Sequence, residues 1–276
     1  MKKQLQELLQ GELTKRELAL IPSAYDLVGD ILIFADFPFE LWPKEKAIGE
    51  ALLSLHRHVH VIAKKTGQYS GRFRLPKLAI IAGEGRKETE HKENGVRLRL
   101  DVEQAYFSPR TGSERLRIAS LVHDGESIMV MFSGCAPLPL VIARHARPSL
   151  IVGVEINPAA HRYAVENVAL NKMKHIELIN GDVADVIPRM RRKFDRIAMP
   201  LPKGAEPFLP LALSRLKKGG TIHFYDFLHE GEFILAEDRI AKACALARRK
   251  YSIIGIVKCG QFSPRTFRVC VDFRAM

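Results

Sequence analysis

The chain has 276 residues, 47% of them apolar and 27% charged, which suits a soluble chain of one large or two unequal domains and excludes a disordered or fibrous one. Its apolar runs, such as "SLIVGVEI", fall far short of the roughly 20 residues of a membrane span; the charged start "MKKQLQELLQGELTKREL" lacks a signal region, and Cys135, Cys244, Cys259 and Cys270 have no C-x-x-C spacing, so a cytoplasmic protein without membrane contact, zinc site or disulfides is expected. Lys and Arg outnumber Asp and Glu by 43 to 31, for a net charge of +12, an excess that gathers polyanions, although a solvated basic surface gives the same total.

In chain order, "YDLVGDILIFADF" reads as a strand, "KEKAIGEALLSLHRHVHVIAKK" as a helix, and "KLAIIAGEG", "KETEHKENG" and "VRLRLDVEQAYF" as antiparallel strands. Residues 1–105 are thus expected to form a small α+β domain. From Ser127 the pattern changes. "SIMVMFSG", "SLIVGVEIN", "IELINGDV", "FDRIAMPLP" and "TIHFYDFL" read as strands, separated by the helical "LPLVIARHA", "PAAHRYAVENVALNKM", "VADVIPRMRR" and "AEPFLPLALSRLKKGG", the last with Gly219-Gly220 as its C-cap. Another helix, "EDRIAKACALARRK", precedes "YSIIGIVKCGQF" and "TFRVCVDFRA", which have no helix between them and should pair as a hairpin at the sheet edge. Residues 106–276 therefore predict an α/β, doubly wound Rossmann-type sheet of seven strands.

Ligands of such a sheet bind at the carboxyl ends of its strands. After the first strand comes Phe132-Ser133-Gly134, where Gly134 lets a ligand approach the backbone. Glu155, after the second, stands where an acid accepts from ribose hydroxyls. Asp182, before Val183, can accept from an adenine amine, and Pro200-Leu201-Pro202 can floor a substrate pocket. Each has a plainer reading: Glu155 as a carboxylate favoured by a helix dipole, Asp182 as an ordinary N-cap. Together, in strand order, they point to an adenosine-containing ligand. The loop lacks the G-x-G-x-x-G that a pyrophosphate requires, which favours the phosphate-free S-adenosyl-L-methionine over a dinucleotide.

"DVEQAYFSPRTGSERLRIASLVHDGESIMVMFSG", with "VEINPAAHRYAVENVALNK", "LPKGAEPFLPLALSRLKKGGTIHFYDF" and "SPRTFRVCVDFR", resembles the archaeal and eukaryotic tRNA (guanine-37-N1) methyltransferases over about residues 65–276. A sister family, the wybutosine-pathway enzymes that transfer an aminocarboxypropyl group from the same cofactor, shares much of the pattern. The resemblance implies S-adenosylmethionine as cofactor and the anticodon region of tRNA as substrate, and gives no sign of an obligatory protein partner. It implies that Tyr106 and Arg110 of "YFSPR" lie over the active site, with Arg110 stabilising charge on guanine O6 and Asp101 near the acceptor of the N1 proton. Arg115, Phe132, Gly134, Glu155, Ile156, Asp182, Val183 and Pro200 match cofactor positions. Three places depart from the family. Val130 replaces an aspartate, Pro200 replaces the asparagine of Asn-Leu-Pro, and Cys135-Ala136-Pro137-Leu138 replaces "GVGP". These departures keep aminocarboxypropyl transfer and a non-catalytic RNA-binding role open, while the retained "LPK" points to the methyltransferase branch.

Overall fold

A computed structural model describes residues 2–67, 71–201 and 203–276. The chain divides into two compact units, Met1–Glu93 with Arg97–Pro109, and Asn94–Val96 with Arg110–Met276.

The first unit opens with helices α1 (Lys2–Leu8) and α2 (Lys15–Leu20). Thr14 and Glu17 close a reciprocal capping box at the start of α2. The expected single strand at residues 25–37 is instead a hairpin, β1 (Tyr25–Val28) and β2 (Ile31–Phe34), turning at Gly29-Asp30. The expected long helix is likewise cut short. Helix α3 (Glu45–Leu55) stops at His56, and the β-branched "VHVIAKK" that follows supplies strand β3 (Val61–Lys65), because Val and Ile favour the pleated, buried environment beside β2. Strand β4 (Leu78–Gly83) completes a sheet ordered β1-β2-β3-β4, in which only β2 and β3 are parallel, joined across α3. Leu32, Phe34, Leu41, Ile48, Leu52 and Ile62 form its core. Strands β5 (Glu88–Glu93) and β6 (Val96–Asp101) make a separate hairpin around Asn94-Gly95, both at positive φ (45° and 73°), as a two-residue turn requires.

The second unit is the doubly wound sheet. Helix α4 (Gly112–Ser120) precedes β7 (Ser127–Met131), α5 (Pro137–His145), β8 (Leu150–Glu155), α6 (Pro158–Leu170), β9 (Ile176–Asn180), α7 (Val183–Arg189), β10 (Phe194–Met199), α8 (Leu209–Arg215), β11 (Leu216–His229), α9 (Ile234–Leu246), β12 (Tyr251–Ser263) and β13 (Thr266–Ala275). The sheet has seven strands in the order β12-β13-β11-β10-β7-β8-β9. Strand β13 enters antiparallel between β11 and β12, as the helix-free link predicts. The winding reverses beside β7, between β10 and β8. Gly219-Gly220 does not cap a helix. Helix α8 ends at Arg215, Leu216 is already extended, and β11 is bulged relative to β10 between the pairs Phe194–Leu216 and Arg196–Thr221, with Gly219 at φ 78° and Gly220 already paired with Ala275 of β13. Among the described residues, no helix is long and apolar enough to cross a membrane.

One buried ionic chain runs through this unit. Arg196 on β10 donates twice to Glu126 (2.7 and 2.9 Å) and once to His223 Nε2 on β11 (2.8 Å). Burial lowers the His223 pKa, and with Nε2 facing the Arg196 donor, Nδ1–H donates to Asp272 on β13 (2.6 Å). Arg117 of α4 joins Asp272 (2.6 Å) to Glu114 (2.7 and 2.8 Å), which also accepts from the Tyr225 hydroxyl (2.6 Å). Burial alone would raise the Asp272 carboxyl, but His223 and Arg117 outweigh it and hold it well below the usual range.

In the first unit, Asp30 receives both Arg86 nitrogens (3.0 and 2.5 Å) and the Thr89 hydroxyl (2.6 Å); with the Arg86 guanidinium as the main cause, its carboxyl is lowered to about 2. A depressed acid adds stability above its unfolded pKa, about 4, and loses it as pH falls through its folded value. Hydrogen exchange of the β1 and β2 amides should therefore accelerate as pH drops from about 4 towards about 2, after correction for intrinsic rates. Asp30→Asn should lower protection at pH 7 and flatten that acid dependence; an unchanged acid limb would rule the pair out as its source.

Candidate active site

Strand β7 ends in a turn whose backbone is unusual. Phe132 (φ 59°), Gly134 (φ 57°) and Ala136 (φ 65°) all lie in the left-handed region, and Pro137 then opens α5. Such a turn is held by its neighbours. Gly134 N–H donates to Glu155 Oε2 (2.7 Å), Ser133 N–H to the Val154 carbonyl (2.9 Å), and the buried Asn167 amide to the Cys135 carbonyl (3.1 Å). A Cβ on Gly153 would come within 2.9 Å of Leu178 and 3.0 Å of Ser133 Oγ, so glycine in β8 is what lets this turn settle on the sheet. The Phe132 ring meets Phe208 edge-on at 5.2 Å.

Glu155 is the last residue of β8 and is 9% exposed. Its second oxygen, Oε1, accepts from Asn157 N–H (2.8 Å). Burial raises its carboxyl, and the backbone N–H groups of Asn157, Gly134 and Ile156 offset part of that rise. The tip of β9 is tied beside it, since Asn180 Nδ2 (2.8 Å) and Gly181 N–H (2.9 Å) both donate to the Glu155 carbonyl. Asp182 follows at once. It is the N-cap of α7, with Oδ1 accepting from Ala184 N–H (2.8 Å), so the plainer reading of this residue describes its geometry. A carboxylate used as a cap keeps lone pairs for a second donor. Glu155 and Asp182 thus stand on neighbouring strand tips at one end of the sheet. Ile156 is half-buried beyond Glu155, the Val183 side chain belongs to the core, leaving only its backbone for a ligand, and Pro200 follows β10 half-buried. Pro202 lies outside the described residues.

The donor set fits S-adenosylmethionine. A carboxylate fixed by backbone amides suits a ribose diol, a second acceptor on the next strand suits an amine, and "FSGCA" brings no cation for a phosphate. Val130, where an acid was expected by resemblance, is fully buried and paired with Gly153 and Ala198, an environment that favours an apolar side chain.

The remaining expected residues divide between the units. Asp101 and Tyr106 belong to the first. Asp101 closes the turn after β6: Oδ1 accepts from Glu103 N–H (2.8 Å) and Gln104 N–H (3.2 Å), and Oδ2 from the Gln104 amide (3.0 Å). Tyr106 is 40% exposed. Arg110 and Arg115 belong to the second. Arg110 lies exposed in the short 3-10 turn Pro109–Thr111, and Arg115 is buried on α4, donating to Thr111 Oγ1 (2.6 Å). The sequence reading passed over Glu114, which is buried between Arg117 and Tyr225. A signal for it exists: Glu114, Arg115, Ile118 and Ala119 fall at i, i+1, i+4 and i+5, one inward helical face.

Comparison with known proteins agrees with this architecture. Residues 89–254 match the TRM5/TYW2 methyltransferase domain, and residues 5–86 match the TYW2 N-terminal domain. The chain is 36% identical, over 92% of its length and 75% of the relative's, to the tRNA (guanine(37)-N(1))-methyltransferase Trm5b of Pyrococcus abyssi. The structure of aTrm5 in complex with tRNALeu superposes with a TM-score of 0.85 at 30% identity, covering 99% of this chain and 78% of that one. TYW2 of P. horikoshii in complex with MeSAdo gives 0.84 at 25% identity, covering 100% and 99%. On its sequence and its fold alike, the chain belongs to the TRM5/TYW2 methyltransferase family.

Proposed function

We propose that this protein is an S-adenosylmethionine-dependent tRNA methyltransferase that modifies N1 of guanosine 37. The observation that carries the reading is the pair of strand-tip acceptors, Glu155 and Asp182, beside a phosphate-free loop, on a chain with this degree of identity to a tRNA (guanine(37)-N(1))-methyltransferase. Four free thiols and a tRNA substrate favour the cytoplasm as its setting.

The bound cofactor supplies a methyl group on a sulfonium, open to in-line attack. The chain's part is to hold, align and move a proton. Glu155 accepts the ribose hydroxyls while its backbone partners keep it in place. Asp182 takes the adenine amine. Guanine N1 attacks well only as its proton leaves, which puts negative charge on O6. Arg110, by resemblance, meets that charge. The proton acceptor is Asp101 by resemblance. Its carboxylate, however, already closes a turn with three hydrogen bonds. Glu114 likewise accepts three hydrogen bonds, two from Arg117 and one from Tyr225, with one lone pair of Oε2 open; it is the stronger candidate because it is buried and sits on α4 beside Arg115 in the unit that carries the cofactor tips.

A second reading, aminocarboxypropyl transfer, has two observations in its favour. Pro200 offers no side-chain donor where the methyltransferases carry asparagine, and the N-terminal match is to the TYW2 domain. The cofactor remnant separates the readings. Incubation with tRNA should release S-adenosylhomocysteine and give 1-methylguanosine on nucleoside mass spectrometry; methylthioadenosine would establish the second reading instead.

Glu155→Gln should weaken S-adenosylmethionine binding about 10- to 100-fold by calorimetry, the loss of charged acceptance from two hydroxyls, while near-wild-type affinity would remove Glu155 from the cofactor site. Arg110→Ala should lower kcat about 10²- to 10³-fold with cofactor affinity intact, and a loss of cofactor affinity would reassign it to binding. Glu114→Gln should depress kcat far more than Asp101→Asn; the reverse order would return the proton to Asp101.

A further inference from the structure

The basic charge of the second unit collects at the end of the sheet away from Glu155 and Asp182. Strands β10, β11 and β12 run the same way, so the chain enters all three at that far end. The three entries read "RMRRKF", "SRLKKGG" and "LARRKYS", without an acidic residue among them. Arg192 pairs with Glu177 (2.5 Å) and Lys217 with Asp195 (2.8 Å). Arg189, Arg191, Lys193, Lys218, Arg248 and Lys250 are exposed and, among the described residues, have no acidic partner. The entries to β8 and β9, "HARPS" and "NKMKH", are basic too, but the β7 entry "HDGES" between β10 and β8 carries Asp124 and Glu126, so the continuous basic stretch is confined to the β10–β12 side of the sheet.

The plainest account of cations here is that helices end here. Helices α7, α8 and α9 present roughly −0.5 each, about −1.5 together, against six unpaired positive groups. Helix dipoles leave most of the charge unexplained. The surface is also rigid. Arg249 donates to the carbonyls of Leu213 (3.1 Å), Leu216 (3.0 Å), Lys217 (2.8 Å) and Ala275 (2.7 Å), riveting the end of α8, the start of β11 and the end of β13 into one piece. Lys193, Ser214, Lys218, Leu246 and Met276 border an open hollow of about 620 Å³. Leu246 stands 80% exposed there, apolar surface that a ribose can cover. From β12 to β10 is three strand spacings, about 14 Å, wide enough for several phosphates of a polymer and too wide for one small anion. The far end lies about a strand length, 17–20 Å, from the cofactor tips, so the loop carrying the target base does not reach both.

We infer that this end of the catalytic unit is a second RNA-binding face, which holds the sugar–phosphate backbone of the tRNA body away from the nucleotide being modified. The inference rests on tRNA being the substrate. It is tested with the full chain carrying Arg191→Gln, Lys193→Gln, Lys218→Gln and Lys250→Gln, with S-adenosylmethionine affinity as the control for folding. Binding of full-length tRNA should weaken at least 10-fold, and the slope of log K against log salt should fall by about 3, from about 0.7–0.9 per lost phosphate contact. KM for full-length tRNA should rise, while kcat and turnover of an isolated anticodon stem-loop stay at wild-type values. Unchanged affinity for full-length tRNA overturns the inference, and so does an equal loss on the stem-loop, which would make these residues part of the catalytic contact. Vesicles containing 30% phosphatidylserine that bind the wild type but not the variant, with tRNA binding unaltered, would make the face a lipid surface instead. A wild type that transfers no group to tRNA, yet binds it through these four residues, would leave the face standing and remove the enzymatic reading.

Discussion

Helix α4 is the element on which the candidate site depends, and it is held by charge. Arg117 bridges Glu114 to Asp272, and from Asp272 the bonds continue through His223 to Arg196 and Glu126. Replacing such a chain by apolar groups need not destabilise a protein, but removing one member leaves a buried charge unpaired, at a cost of about 3–5 kcal/mol. The chain is therefore better understood as a fixture that permits one seating of α4 than as a reserve of stability. Arg115 lies on that helix and Arg110 just before it. His223, Cys270 and Asp272 are close enough together to suggest a metal site, but Asp272 is already bonded by His223, Arg117 and the Cys270 thiol, and two guanidinium groups stand in the same chain. A cation there would meet both.

The sheet of the second unit is chemically polarised. One end carries the acceptors Glu155 and Asp182. The other end offers donors in three successive entries to strands. Both follow from winding: in a parallel sheet every loop after a strand falls on one side and every loop after a helix on the other. A bias in loop composition thus becomes a bias between faces.

The second unit was largely legible in the sequence, because alternation of apolar runs with helical segments is a long, repeated signal, and the helix-free link to "TFRVCVDFRA" announced the antiparallel strand. The failures were local. "HRHVHVIAKK" continued a helical pattern by length, yet its β-branched residues found a parallel neighbour in β2, a tertiary fact that no local window contains. Gly219-Gly220 looked like a cap and served a bulge. Glu155 and Asp182 could be placed at strand tips from the sequence because topology predicts where strands end. Glu114 was passed over because its importance comes from Tyr225 and Asp272, which lie 111 residues from Glu114 and 155 residues from Arg117, respectively.

That separation bears on how the molecule assembles. The turn of Phe132–Ala136 is held by β8 and α6, which follow it closely in the chain, so a cofactor loop can take shape early. Arg117 waits for an aspartate on β13, the strand that slips between β11 and β12 after both have been made. Contacts so distant in sequence form slowly, because their loops cost entropy before any bond repays it. On the ribosome, a growing chain would own a nearly finished cofactor cradle, with α4 already packed by Ile118 and Ala119, while Arg117 still lacked its aspartate, so that the buried ionic chain closes only with the last strand.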